Sequence, residues 1–315
     1  MVSIGVIGMG KWGYNHVNTL ANLGHKPAAI ADPAPHAQAK AASLNVEHFS
    51  DYHEMLPHVE AVVIAAPTNL HYRIALDCLQ AGKHVLVEKP IAETVVEGKK
   101  LQALAAKKKR VLAVGQLFRF NPALAELKRQ LKEAGRPHYL TARFIHSSNP
   151  PRTDSGAIDN FGTHAFDWLN YLLDAKPKKV FALKHHFLSR EREDAAVCLL
   201  DYGKFFASVE LGWLHPLKRR DVWLIAEKNK VHADLLEQRV EVTPIMVGYE
   251  GNQVGAKTEA RVQKTEPLEA ELIHFLDCIE TGKRPLNDAQ AGLDALEVCL
   301  ACHRAAETGK PVDLK

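Results

Sequence analysis

Apolar residues in the first third of the chain come in short, nearly unbroken runs: Ser3–Ile7, Ala28–Ala31, Ala61–Ala65, His84–Val87 and Val111–Val114. Runs of this length without alternation predict parallel strands buried on both faces. Stretches with helical spacing lie between them, Trp12–Leu23, Ala34–Ser43, Tyr72–Ala81 and Val95–Lys108. Strand–helix alternation of this kind predicts a doubly wound α/β domain, here over residues 1–121. The pattern then changes. A helix over Ala123–Ala134, a strand over Tyr139–Ile145 and a helix over Phe161–Leu173 lead into Val180–Leu188, Ala195–Tyr202, Phe205–Trp213, Asp221–Ala226, Val231–Ala233 and Arg239–Thr243. Consecutive strands with short connections predict a mostly antiparallel sheet in a second α/β domain, residues 122–315. Gly248–Lys264 is polar and reads as a loop or hairpin. Two helices close the chain, one from Pro267 to Gly282 with Leu268, Leu272, Phe275 and Ile279 on one face, the other from Asn287-Asp288 to Gly309. Either can pack back on the first domain.

A length of 315 residues suits two domains, each large enough for its own core. With 40 Lys plus Arg against 37 Asp plus Glu, the net charge is only +3, an excess too slight to argue for nucleic acid or an acidic membrane, while anionic small molecules stay open because local charge matters more than the sum. The longest apolar stretches, such as 61–67, fall far short of the ~20 residues of a membrane span. The N-terminus enters a strand directly, without a basic leader. Five cysteines, an odd number in so large a chain, are no disulfide framework. A cytoplasmic protein is expected.

The chemistry begins at Gly8-Met9-Gly10-Lys11-Trp12-Gly13, a G-x-G-x-x-G directly after the first strand and opening the first helix. Gly8 permits the tight turn, Gly10 lets a pyrophosphate approach the backbone, and Gly13 lets helix and strand pack closely. The free amides of the helix N-terminus complete an anion site. Asp32 follows Gly13 by 19 residues, at the end of the second strand. A carboxylate there accepts hydrogen bonds from a ribose 2′-hydroxyl and repels a 2′-phosphate, which favours NAD over NADP. Two further segments follow strands of the same sheet, Ala65-Ala66-Pro67-Thr68-Asn69-Leu70-His71 and Val87-Glu88-Lys89-Pro90. Lys89 is placed to polarise a substrate oxygen and assist proton transfer; a solvated lysine beside a turn proline is the competing reading. In Ser155–Trp168, Asn160 and His164 stand four apart and share a face if the segment is helical. His164 is a natural base for a hydroxyl proton, or else a hydrogen-bonded core histidine.

The Gly-rich turn, Pro-Thr-Asn-x-His, Glu-Lys-Pro and the Gly-x-His-x-x-Asp helix, in this order, resemble the Gfo/Idh/MocA oxidoreductases over nearly the whole chain. The resemblance implies an N-terminal Rossmann domain and a C-terminal α/β domain with a large open sheet. It implies an NAD-dependent enzyme in which Lys89, His164 and Asn160 act at a substrate carbinol. Cofactor contacts are implied for Gly8, Met9, Gly10, Lys11, Trp12, Gly13, Asp32, Ala66, Pro67, Thr68, Asn69, His71, Glu88, Lys89 and Gln116. The family usually has Asp where this chain has Asn160, with Asp159 one place earlier; an amide can hydrogen-bond a hydroxyl but cannot take its proton.

Residues 115–122, 151–156 and 212–220 are similar to the subgroup of that family acting on UDP-N-acetylglucosamine and on UDP-linked acetamido uronates. That similarity implies oxidation at C3 of a UDP-linked N-acetylhexosamine, with substrate contacts from Arg119, Asn121, Arg152, Asp154, Asn160, His164, Trp213, Lys218 and Arg220. Arg119, Arg152, Lys218, Arg219 and Arg220 supply cations for a sugar diphosphate, although alternation along a strand allows only some of the last three to face one site. The rivals are a dehydrogenase or reductase of a free sugar or inositol, and a non-catalytic NAD- or sugar-binding regulator, against which the presence of both Lys89 and His164 speaks. A partly apolar open sheet needs a cover, so a homodimer or homotetramer through that sheet is expected. Cys299-Leu300-Ala301-Cys302-His303 matches a haem-attachment pattern, but the compartment argues against haem. His185-His186 lacks companions at ligand spacing, so no metal is expected.

Overall fold

The computed structural model describes residues 2–147, 155–188 and 190–314. The chain forms two compact units, Met1–Leu117 with Glu266–Leu296, and Phe118–Thr265 with Glu297–Lys315. In the first, β1 (Ile4–Ile7), β2 (Ala29–Ala31), β3 (Glu47–Phe49), β4 (Ala61–Ile64), β5 (His84–Val87) and β6 (Leu112–Val114) form a parallel sheet in the order β3-β2-β1-β4-β5-β6. The helices are α1 (Lys11–Asn22), α2 (Pro35–Leu44), α3 (Tyr52–Met55), α4 (Thr68–Gln80) and α5 (Val95–Lys108). The strands are apolar throughout because both faces are covered. Val6, Ile30, Val63 and Leu86 pack with Val17 and Leu20 on one side, and Ile7, Val62, Ile64 and Val87 with Ile74, Leu79 and Leu101 on the other. β1 is flanked by β2 and β4, so the strand order reverses there. That switch point opens a ligand crevice at the strands' carboxyl ends. β3 is absent from the sequence reading because Glu47-His48-Phe49 is a part-exposed edge with no apolar run. α4 starts at Thr68, four residues earlier than its periodicity shows, because Pro67 fixes the entry φ at −56°.

The second unit holds α6 (Pro122–Glu133), β7 (Pro137–Ile145), a π-helical turn at Ile158–Gly162, α7 (Thr163–Leu173), β8 (Lys179–His185), β9 (Ala195–Asp201) and β10 (Phe206–Gly212). The run continues with β11 (Arg219–Ala226), β12 (Asn229–Asp234), β13 (Arg239–Gly248), β14 (Gly251–Val254) and β15 (Thr258–Ala260). After α8 (Pro267–Thr281) and α9 (Ala289–Thr308), β16 (Val312–Asp313) returns to the same sheet. Its order is β14-β13-β12-β11-β7-β10-β9-β8-β16, with β15 on β13. Every pairing is antiparallel except β7 with β10, which are parallel. β8 stops at His185, short of Leu188, because Asp194 Oδ2 accepts the amides of Phe187 and Leu188, each at 2.7 Å. Alternation along β8, β9 and β10 buries Ala182, Cys198 and Val209 and exposes Leu183, Val197, Leu199 and Phe206.

α8 and the first turns of α9 complete the first unit. Leu272 and Phe275 are fully buried in its core. Asn287 stitches this segment to β6, its Nδ2 donating to Val114 O at 2.7 Å and its carbonyl accepting Val114 N at 2.8 Å. Asp288, at the N-terminus of α9, accepts the amide of Ala291 at 3.0 Å.

Candidate active site

In the first unit, Gly8 has φ +91°, which side-chain-bearing residues rarely adopt, and a Cβ on Gly13 would lie 1.8 Å from Gly8 O. Gly10 is different. A Cβ there would meet no atom within 4 Å, so open space lies at the α1 N-terminus, whose first turn carries no acidic side chain. Asp32 accepts from Met9 N at 2.6 Å through Oδ2 and from Ala34 N at 2.7 Å through Oδ1, which pins the Gly turn to the end of β2. Gln116, beyond β6, is 1% exposed, and neither atom of its amide has a hydrogen-bond partner among the described residues. An open cradle with free amides, a fixed carboxylate and an orphaned buried amide together fit a dinucleotide. Lys11 and Trp12 open α1, Ala66 and Pro67 lead into α4, and Thr68 and Asn69 form its first turn.

Two expected cofactor contacts are turned inward instead. His71 is buried, with Nδ1 2.7 Å from Pro90 O and Nε2 2.9 Å from Ala66 O, so it ties the loop after β4 to the loop after β5. Glu88 pairs with His16 of α1 at 2.8 Å, and its other oxygen accepts Lys89 N at 3.2 Å. Lys89 itself is 9% exposed, so its ammonium stem is enclosed rather than solvated. His16 is missed by sequence reading. Its one signal is a polar residue on the buried stripe of α1 beside Val17 and Leu20.

In the second unit, the helical run starts at Ala157, passes through the π-turn and continues as α7, so Asn160 and His164 belong to one helical stretch. His164 is 5% exposed and sits among aromatic rings, edge-on to Phe118 at 5.2 Å and stacked with Phe144 at 6.0 Å. Trp168 backs both phenylalanines at 5.1 and 5.6 Å, and Phe161 stacks on Phe144 at 4.5 Å. Arg220 on β11 lies opposite Phe144 on β7, and its guanidinium covers the Phe144 ring at 4.6 Å and approaches the Phe118 ring at 5.5 Å. No carboxylate pairs with it among the described residues, its buried Nε has no partner, and burial pushes its pKa down to about 10. Its neighbour Asp221 shows the contrast, with Arg143 at 2.5 Å and His232 at 3.1 Å.

Three expected substrate contacts are spent within the protein. Arg119 is bidentate on buried Asp167, from Nε at 2.9 Å and Nη2 at 2.7 Å to Oδ1, so its charge is neutralised. Asn121 caps α6 through Ala123 N at 3.0 Å and donates to Leu235 O at 2.9 Å. Trp213 donates its indole N–H to Asp194 at 2.6 Å. Lys218 is exposed just before β11, and Arg219 is half-buried. Arg152 and Asp154 lie outside the described residues. Although the sequence reading expects no metal, one set of ligand-type side chains does meet: Asp159, Glu193 and His303 bring a donor atom each within 4.8 Å of one another. His303 comes from the Cys-x-x-Cys-His run, which is helical in α9 with both thiols buried.

Residues 2–116 match the family model described as the oxidoreductase family with NAD-binding Rossmann fold, and residues 126–233 match the Gfo/Idh/MocA C-terminal domain. The chain belongs to the Gfo/Idh/MocA oxidoreductase family. It is an NAD-dependent oxidoreductase, and its first unit is the NAD-binding domain. It is 27% identical over 336 residues to the scyllo-inositol 2-dehydrogenase (NAD(+)) of Bacillus subtilis, covering 99% of this chain and 96% of that one. It is 26% identical to the UDP-N-acetylglucosamine 3-dehydrogenase of Acidithiobacillus ferrooxidans, covering 96% of each. The solved structure of that enzyme, GnnA, superposes with a TM-score of 0.87 over 98% of both chains. No described helix is long and apolar enough to cross a membrane.

Proposed function

We propose that this oxidoreductase oxidises a secondary hydroxyl of an anionic sugar, C3 of a UDP-linked N-acetylhexosamine. The observation that carries the reading is Arg220. A half-buried guanidinium laid over two phenyl rings, its buried Nε unpartnered and no carboxylate beside it among the described residues, is costly unless the ligand supplies the anion. It borders the same Phe118 and Phe144 rings as His164, so the anion it awaits belongs to a molecule that His164 can reach. Inositols and free sugars carry no such charge. Neutralisation of Arg119 by Asp167 favours the second reading, an inositol or free-sugar dehydrogenase, because it leaves one cation fewer.

NAD, when bound, accepts the hydride. The Gly8–Gly13 turn and Asp32 hold it, with Gln116 supplying amide contacts. His164 takes the hydroxyl proton, Asn160 orients that hydroxyl, and Lys89 polarises the oxygen as negative charge develops. Arg220 fixes the anionic part of the substrate, with Lys218 reaching it from the surface. The exposed Leu183, Val197, Leu199 and Phe206 support a homodimer or homotetramer built on the open sheet. Five buried cysteines, none in a disulfide among the described residues, suit the reducing cytoplasm.

The test is NAD reduction, followed by absorbance, with UDP-N-acetylglucosamine, its 6-carboxylate, free N-acetylglucosamine and scyllo- and myo-inositol. Turnover of a UDP-sugar at least tenfold above the neutral compounds is expected. Equal or faster turnover of an inositol overturns the anionic assignment.

A further inference from the structure

We infer that His303, with Cys299 one turn earlier on α9, is a positioning residue that clamps the π-turn presenting Asn160 and leading into His164. This rests on the roles given above to those two side chains. π-helical turns are rare, are costlier than α-helix and persist where surrounding contacts hold them.

This one is gripped at every corner. Ile158 N donates to Glu193 Oε1 at 2.9 Å, and Ala157 N donates to the Glu193 carbonyl at 3.0 Å. A Cβ on Gly156 would lie 2.2 Å from the Glu193 carboxylate, so glycine lets that acid come up against the turn. Cys299 Sγ stands 3.8 Å from Ile158 O and 3.5 Å from Thr163 Oγ1, the hydroxyl that donates to Asp159 O at 2.6 Å. His303 Nε2 meets the Asp159 carboxylate at 2.9 Å.

The far side of the imidazole is ordered as well. Lys184 Nζ donates to His303 Nδ1 at 3.0 Å and to Glu307 at 3.0 Å, which leaves the ring hydrogen on Nε2, facing Asp159. Burial of the ring and the Lys184 ammonium disfavour its protonation, but the Asp159 hydrogen bond and the charges of Asp159 and Glu193 outweigh them and raise the His303 pKa. Protonated or neutral, Nε2–H therefore points at Asp159. The carboxylate next to Asn160 is thus held by α9 rather than offered to substrate. An ammonium 3.0 Å from the ring also argues for a proton, and against a divalent cation, between these groups.

The experiment compares His303→Leu, His303→Gln, Asp159→Leu and the His303→Leu/Asp159→Leu double variant. Each is assayed for kcat, KM for the sugar, NAD affinity and Tm. Loss of the clamp lets the turn relax to α-helix and rotates Asn160, so His303→Leu is expected to lower kcat by about 10–100-fold with NAD affinity unchanged. Gln, whose amide N–H can stand near Nε2–H, is expected to restore kcat to within about threefold. The double variant is expected to be no worse than the poorer single one, as for members of one network. Wild-type kcat in His303→Leu, or a Gln variant as slow as Leu, overturns the clamp. So does loss of wild-type activity on chelation, with a stoichiometric metal found in the protein, because the cluster is then a metal site. His164→Ala separates the two ideas: its full activity overturns the base assignment, whereas its inactivity beside a fully active His303→Leu overturns the clamp alone.

Discussion

Replacing Arg220 by methionine should move stability and activity in opposite directions. Methionine keeps the apolar stem against Phe118 and Phe144 and removes the charge. Burial draws the guanidinium pKa from the ordinary arginine value down to about 10, which corresponds to about 3 kcal/mol against the charged form. Because the folded pKa lies below the unfolded one, that cost applies fully at neutral pH and is relieved only above about pH 10. The two ring faces return about 0.5–2 kcal/mol through cation–π attraction. The ligand-free variant should therefore gain about 1–2 kcal/mol, a Tm rise of roughly 2–8 °C for a unit of this size. Catalysis should fall. Loss of a charged hydrogen bond to a substrate anion costs ~1.5–3 kcal/mol, or about 10–150-fold in kcat/KM for the UDP-sugar, with turnover of any neutral sugar nearly unchanged. Differential scanning fluorimetry without ligands and initial rates on both substrate classes measure the two effects. A variant that loses stability and slows equally on charged and neutral substrates would refute the reasoning, since Arg220 would then be a structural cation.

Gly10→Val should fold with an unchanged Tm and bind no NAD by titration calorimetry, because its side chain enters open space, whereas Gly13→Ala should fail to fold against Gly8 O. Asp32→Ala should weaken NAD by about 10–100-fold and narrow the preference over NADP, since it both removes a ribose acceptor and unpins Met9 and Ala34; tighter NADP than NAD binding in the wild type would contradict that role. His84, whose Nδ1 accepts Val111 N at 3.0 Å, has its pKa lowered by burial and by Arg110. Its stabilisation is present above the ordinary histidine pKa and lost as pH falls through the folded value, so His84→Gln should flatten the acid side of the Tm–pH curve. Leu183→Asp with Val197→Asp should leave a monomer by light scattering if the open sheet face is the subunit interface.

What the sequence makes legible is whatever rests on local period and on glycine stereochemistry. The buried strands, the Gly8–Gly13 turn and Asp32 follow from spacing alone, and the structure has each of them. Edge elements are hidden because an exposed strand has no apolar signature, as at Glu47–Phe49 and Val312–Asp313. The parallel pairing of β7 with β10 joins residues far apart in the chain, and nothing local encodes it. The site is half legible for a related reason. A motif says which residue types are present, not which way they point. Arg119, Asn121, Trp213 and His71 have the right chemistry for ligands and spend it on Asp167, Leu235, Asp194 and two backbone carbonyls. Arg220 stands out only once its neighbours are known, because the lack of a counter-charge among the described residues is a property of three-dimensional surroundings.

The split ownership of the first unit also sets a schedule for making the protein. The nucleotide-binding sheet is translated first, yet Leu272 and Phe275 of α8 fill its core and Asn287 caps its last strand. The whole of 118–265 must be synthesised before those residues exist. At ~5–20 residues per second this is a wait of roughly 7 to 30 seconds with apolar surface uncovered on β1 and β2. The nascent nucleotide-binding domain is therefore expected to engage chaperones, and an expression fragment ending near residue 121 should be insoluble. A fragment in which a short flexible tether joins residue 117 directly to residue 266 has all of its core and should bind NAD by itself.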